Sequence, residues 1–187
     1  MNCFLPITYV CNWHCNYCIV DTHNQSSSKA TKKKVLKCIE NIPEGCSVHI
    51  EGGEPGTVNE EDILEYFKLL KEKNCEIVLN TNGLFLEKYP KIVEEYVDDI
   101  LYHCIEHIEE LKEIQLFDIS VPITYMLLVN DSNFLALDWY YDNYNIQFFV
   151  SSMKEVNGNS LSNKNALYII KNYKVHGDSI SHLLKGN

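Results

Sequence analysis

Short apolar runs rich in β-branched and aromatic residues alternate along this chain with longer amphipathic stretches, and that alternation leaves few architectures open. Phe4–Val10, Ser47–Ile50, Cys75–Leu79, Asp99–Cys104, a segment within Phe117–Val129 and Ile146–Val150 read as six strands. Pro122 blurs the start of the fifth, because proline withholds a ladder donor. Between the strands, Lys32–Ile42, Asn59–Lys73, Leu86–Tyr96, Glu106–Glu113 and Phe134–Tyr141 read as helices, with Pro90 either in a first turn or breaking its helix. Asn59–Lys73 is the clearest. Its apolar residues Ile63, Leu64, Phe67 and Leu70 share one face, Glu60, Glu61 and Asp62 open it, and lysines close it, as the helix dipole favours. Strands alternating with helices imply βαβ units, hence a parallel sheet with right-handed crossovers.

Six such units end near Ser151. A closed eight-stranded barrel needs about 250 residues and this chain has 187. The expected fold is therefore α/β, a partial (β/α)6 barrel of parallel strands over residues 1–151. Residues 152–187 are expected to form a C-terminal tail packing on or closing the barrel. That tail begins with the polar loop Asn157-Gly158-Asn159-Ser160. It continues through Ala166–Val175, which reads as strand or helix, and ends in a short helix at Ser179–Leu184.

An apolar fraction of 45%, with two Trp, twelve Tyr and seven Phe, supplies a sizeable core. The net charge of −10 offers no basic footprint for a polyphosphate backbone, which argues against nucleic acid as a partner. No apolar run approaches the ~20 residues of a spanning helix, and the first residues carry no basic, apolar secretory pattern. A cytoplasmic protein is expected. In a reducing compartment, clustered cysteines point to metal rather than to disulfides. Three of the eight cysteines, Cys11, Cys15 and Cys18, crowd into eight residues directly after the first strand. Cys3, Cys38, Cys46, Cys75 and Cys104 are scattered, as small buried hydrophobes are.

Three thiolates on one loop can wrap one metal centre. Structural zinc pairs two short Cys/His arms across a longer loop, and no second arm appears here, although His14 or Cys3 would complete a four-ligand zinc site. A four-iron cluster on three cysteines keeps one iron free of protein ligands, whereas an electron carrier fills all four positions. After the second strand comes Glu51-Gly52-Gly53-Glu54-Pro55. Its glycines allow close backbone approach, and its Glu54 carboxylate suits an ammonium group. After the third comes Asn80-Thr81-Asn82-Gly83, either plain turn chemistry or a set of polar contacts for a ribose or substrate. His103 and Cys104 end the fourth strand; His103 is a candidate acid, base or substrate ligand, and Cys104 a candidate hydrogen donor, although both residue types more often serve packing.

The segment Cys11–Cys18 resembles the CxxxCx(aromatic)C motif of the radical S-adenosylmethionine (radical SAM) superfamily, with Tyr17 in the aromatic place. Gly52-Gly53-Glu54-Pro55 resembles that superfamily's GGE motif, and Thr81-Asn82-Gly83 its TNG segment. The resemblance covers residues 4–151. It implies a 4Fe-4S cluster on Cys11, Cys15 and Cys18, whose open iron chelates S-adenosylmethionine. It implies reductive cleavage of that cofactor to a 5′-deoxyadenosyl radical, which abstracts hydrogen from substrate in an oxygen-sensitive oxidoreductase. Gly52–Pro55 would receive the methionine end, and Asn80, Thr81 and Asn82 the ribose or substrate. Val150 and Ser151, by position at the end of the sixth strand, would hold adenine. The superfamily's glycine-bearing signature on the fifth strand is missing, with Asp118–Ile123 in its place.

Within the superfamily, compact glycyl-radical-enzyme activases are similar over Ser47–Gly83. In the 7-carboxy-7-deazaguanine synthases the third cysteine is followed at once by Asp-Thr, but here Ile19-Val20 precede Asp21-Thr22. Peptide-modifying members commonly append a cysteine-rich domain, and no cysteine follows Cys104. The substrate is thus left open between protein, peptide and small molecule. The implied reductant is a flavodoxin or ferredoxin, and Lys32-Lys33-Lys34, if more than a solvated helix start, would be its docking site. A non-catalytic iron–sulfur sensor and a zinc-binding interaction module are the alternatives.

Overall fold

A computed structural model describes residues 1–15, 18, 20, 30–104, 113–146, 148–152 and 161–173. Tyr17, the expected helix over 106–113 (Glu113 apart), the loop over 157–160 and the terminal helix over 179–184 lie outside these residues. Six strands follow one another across the sheet in chain order, and the described ladders are parallel. The chain divides into two compact units.

The first unit, residues 1–14, 20–103 and 116–123, carries β1 (Asn2–Thr8), α1 (Lys32–Asn41), β2 (Ser47–Gly52), α2 (Glu60–Glu72), β3 (Glu76–Thr81), α3 (Leu84–Lys88), α4 (Pro90–Tyr96) and β4 (Asp99–His103). A 3-10 turn, Pro55–Thr57, links β2 to α2. The Asn59 side chain accepts the Asp62 N–H at 2.9 Å and so starts α2. α2 then buries Ile63, Tyr66, Phe67 and Leu70.

The strands separate two faces. Val48, Ile50, Ile77, Leu79 and Ile100 are fully buried with Phe67 and Phe85. The alternate positions form a half-open face, on which Phe4, His49, Val78 and Asp99 stand in register. Asn80 and Leu101 form the next row, and His103 stands two residues beyond Leu101 on the same side.

Several expectations change. The single helix over Leu86–Tyr96 is two, because Pro90 has no N–H to continue α3 and instead opens α4 at its first position. Asn80 and Thr81 close β3 rather than form a turn, which begins at Asn82 with Gly83 at φ +103°. The fifth strand, β5 (Ile123–Val129), begins only after Pro122.

The second unit comprises residues 15–19, 104–115 and 124–187. In it β5 from Thr124 onward pairs with β6 (Phe149–Ser152), Met126 opposite Phe149 and Val129 opposite Ser152. Residues Asn130 and Asn133 each accept the other's backbone N–H, at 2.7 and 3.1 Å. That closed turn delays α5 to Ala136–Asn143. Of the segment Ala166–Val175, residues 166–172 lie in a helix, α6 (Asn163–Asn172), capped by Ser162, whose hydroxyl accepts the Asn165 N–H. The interior is aromatic: Phe148 is fully buried among Tyr140, Tyr141 and Tyr144. Among the described residues no helix is long and apolar enough to cross a membrane.

Candidate cofactor site

In the first unit the three motif-bearing turns at the C-terminal ends of β1, β2 and β3 are joined by hydrogen bonds. β1 stops at Thr8, whose hydroxyl accepts the Val10 N–H at 3.1 Å and starts the bend toward Cys11. Backbone pairing nevertheless continues: Gly53 N–H donates to Thr8 O at 2.7 Å and Glu54 N–H to Val10 O at 2.8 Å. The two glycines serve this approach. A Cβ on Gly52, already at φ +113°, would lie 2.2 Å from Thr8 O, and one on Gly53 2.2 Å from Val10 O. Larger residues would push the GGE turn off the cysteine loop.

Glu54 is 2% exposed, and its carboxylate is fully engaged. Oε1 accepts the Gly56 N–H at 2.8 Å and the Thr81 hydroxyl at 2.9 Å; Oε2 accepts the Asn82 N–H at 2.8 Å. Burial raises its pKa, and these donors pull it back. The Thr81 oxygen accepts the Gly83 N–H at 3.0 Å, which tightens the same turn. Pro55 is buried beside it.

Asn82 completes the array. Its side-chain oxygen accepts the Leu84 N–H at 3.3 Å, while its Nδ2 lies 2.9 Å from Asn12 Oδ1 and 3.8 Å from Cys11 Sγ. Cys11 Sγ also accepts the Trp13 N–H at 3.4 Å. Asn80 turns instead to β2, donating to Ile50 O at 3.2 Å. Cys11, Gly52, Gly53, Glu54, Pro55, Thr81 and Asn82 are thus gathered in one place. Thr8, Asn12 and Thr57 were not singled out from sequence; Thr57 Oγ sits 2.7 Å from Glu54 O and 3.3 Å from Val10 O. Their only advance signal was a small polar residue beside each motif.

Half-buried His103 ends β4, and burial lowers its pKa to about 4, so its imidazole is neutral near pH 7. In the second unit, Cys18 N–H donates to Cys15 O at 3.1 Å, and both cysteines are half-buried. Burial pushes the Cys104 thiol up, which keeps it protonated. Val150 and Ser151 lie in β6 opposite Leu127 and Leu128, Val150 being fully buried.

The donor set suits a cluster. Cys11, Cys15 and Cys18 are half-buried rather than sealed in the core, and none is in a disulfide. Three thiolates are the ligand type that an iron–sulfur cluster takes.

Set against known families, residues 5–132 match the Radical SAM superfamily. The chain belongs to that superfamily. A protein of Methanocaldococcus jannaschii, provisionally described as a glycyl-radical enzyme activating enzyme, is 30% identical over 117 residues, which make up 61% of this chain and 43% of the relative. Among solved structures, native anSMEcpe with bound S-adenosylmethionine is similar with a TM-score of 0.67 at 18% identity, over 91% of this chain and 58% of that one. The same protein with S-adenosylmethionine and the Cp18Cys peptide gives 0.63 at 18% identity, over 91% and 57%. This radical SAM chain therefore spans 43% to 58% of the length of these similar proteins. The structural likeness carries the fold: an α/β partial barrel whose six-stranded parallel sheet is not closed. Radical SAM proteins use a 4Fe-4S cluster and S-adenosylmethionine.

Proposed function

We propose that this chain is a radical SAM enzyme that holds a 4Fe-4S cluster on Cys11, Cys15 and Cys18 and acts on a polypeptide. When bound, the cluster supplies the electron that splits S-adenosylmethionine into methionine and a 5′-deoxyadenosyl radical able to take hydrogen from a substrate. The observation that carries the reading is the hydrogen-bonded array joining Cys11, Gly52–Glu54 and Thr81–Asn82 within one unit. In it the Glu54 carboxylate is saturated and buried, so its part is to hold the turn, leaving backbone groups of Gly52–Glu54 to receive the methionine amino group. Asn80–Asn82, Val150 and Ser151 are read as contacts for the nucleoside, with Tyr17 beside the cluster.

Support for a polypeptide comes from two relatives: one is described as an activating enzyme for a glycyl-radical enzyme, and another was solved with a peptide. A cytoplasmic location, a flavodoxin or ferredoxin as reductant, and a covering role for residues 152–187 go with this reading. Turnover that survived truncation after Ser151 would remove that last part.

Anaerobically purified protein is expected to be brown, to change its reduced spectrum on adding S-adenosylmethionine and to release 5′-deoxyadenosine. Cys15→Ala abolishes that release. Cys75→Ala, at a buried thiol that bonds to the Pro43 and Lys73 carbonyls, leaves it intact. A colourless protein with one zinc sinks the proposal. The polypeptide part is wrong if 5′-deoxyadenosine release responds to the small-molecule fraction of an extract and not to its protein fraction.

A further inference from the structure

We infer that Asn82 is a positioning residue for the first cysteine, donating its side-chain amide to the Cys11 sulfur and thereby raising the reduction potential of the cluster held there. This rests on the reading of Cys11 as a cluster ligand and goes beyond it by assigning what sets the electronics of that ligand.

The amide is oriented from three sides. Its backbone N–H is fixed on Glu54 Oε2 at 2.8 Å, and Glu54 is in turn fixed by Gly56 and Thr81. Its side-chain oxygen accepts the Leu84 N–H at 3.3 Å, at the start of α3. With the oxygen so committed, the NH2 end must face the cysteine loop, where one hydrogen meets Asn12 Oδ1 at 2.9 Å and the other points toward Cys11 Sγ at 3.8 Å. A thiolate ligand cannot donate, so it profits from every donor turned toward it. The donors turned toward Cys11 include the Asn82 amide and the Trp13 N–H at 3.4 Å. Donors to a cluster sulfur draw off negative charge and favour the reduced state, and hydrogen bonding to sulfur is one of the factors that set cluster potentials. The link spans 71 positions of sequence, from the first cysteine loop to the turn after β3.

The test compares reconstituted wild type with Asn82→Leu, Asn82→Asp, Asn82→Gln and Cys11→Ala, by iron and sulfide content and by redox titration followed with electron paramagnetic resonance. Asn82→Leu, which keeps the shape and loses the donor, is expected to keep its iron. At a fixed poise its ratio of reduced to oxidised cluster falls by about threefold to tenfold, tenfold being 59 mV for a one-electron couple. Asn82→Asp moves further in the same direction, because it adds negative charge while keeping an oxygen for the Leu84 N–H. It decides the matter if Asn82→Leu does not fold. Asn82→Gln, which keeps an amide donor, recovers part of the shift. An unchanged potential and spectrum in Asn82→Leu and Asn82→Asp, with Cys11→Ala losing the cluster, overturns the inference and leaves the cluster reading standing. A full cluster in Cys11→Ala overturns both.

Discussion

At the C-terminal ends of β1, β2 and β3 one carboxylate, Glu54, collects donors from Gly56, Thr81 and Asn82, and backbone bonds tie the GGE turn to the strand leading into Cys11. Around β5 and β6 of the second unit the ordering falls to rings instead. Phe148 sits among Tyr140, Tyr141 and Tyr144, with Trp139 edge-on to Tyr140 and Tyr144. Hydrogen bonds are directional and demand particular residues at particular places, whereas aromatic packing tolerates exchange among large apolar side chains. The first unit is therefore arranged like a site whose backbone must already be in place when a cofactor arrives. The second is ordered by packing, which tolerates exchange among large apolar side chains.

The comparison breaks most easily at Phe148. Its replacement by alanine opens a hole in the middle of the ring cluster, and an expected loss of about 3–5 kcal/mol would be read by denaturant unfolding under anaerobic conditions. A loss under about 1 kcal/mol would mean that the second unit is not held by packing at this point.

His103 is the first unit's exception, a half-buried imidazole whose pKa is lowered by burial. Its folded pKa, about 4, lies below the ordinary value of 6.5, so the unfolded chain takes up the proton first as pH falls. The contribution of His103 is fully present above pH 6.5 and shrinks as pH drops toward 4, by at most about 3 kcal/mol given its partial exposure. His103→Gln should flatten that part of the stability profile. Equal slopes for variant and wild type between pH 7 and 5 would show that the ring is solvated, and would remove the exception.

The alternation of strands and helices was legible because apolar spacing reports burial directly, and the Cys11–Cys18, Gly52–Glu54 and Thr81–Gly83 motifs were legible because few residue types can do what they do. Glu54 was legible as a motif residue whose carboxylate suits an ammonium group, and its partners were not: its donors come from Gly56 and from Thr81 and Asn82, 27 and 28 positions away, brought together by the pairing of β2 with β3. The pairing of Asn12 with Asn82 carried no signal, since the two stand 70 residues apart. The end of α3 at Lys88 follows from Pro90, but the late start of α5 needed the reciprocal Asn130–Asn133 bonds, which local propensity does not report. Substrate preference had no readable trace, because the legible motifs report the cofactor chemistry alone.

The finest test of the contrast is Glu54→Gln, where two effects oppose each other. A glutamine has one acceptor oxygen in place of two, so at least one of the Gly56 N–H, the Thr81 hydroxyl and the Asn82 N–H would face an NH2 group. Leaving a buried donor unsatisfied costs about 1–3 kcal/mol. The substitution also removes a buried charge, and the raised pKa of Glu54 shows that its ionised form is penalised by burial, which offsets part of that cost. A net loss of about 1 kcal/mol is expected, together with faster hydrogen exchange at the Asn82 N–H, because that amide depends on Oε2 alone. A variant more stable than wild type, with the Asn82 amide still protected, would mean that the turns hold without the carboxylate. The distinction between a hydrogen-bonded first unit and a packed second unit would then fail at its centre.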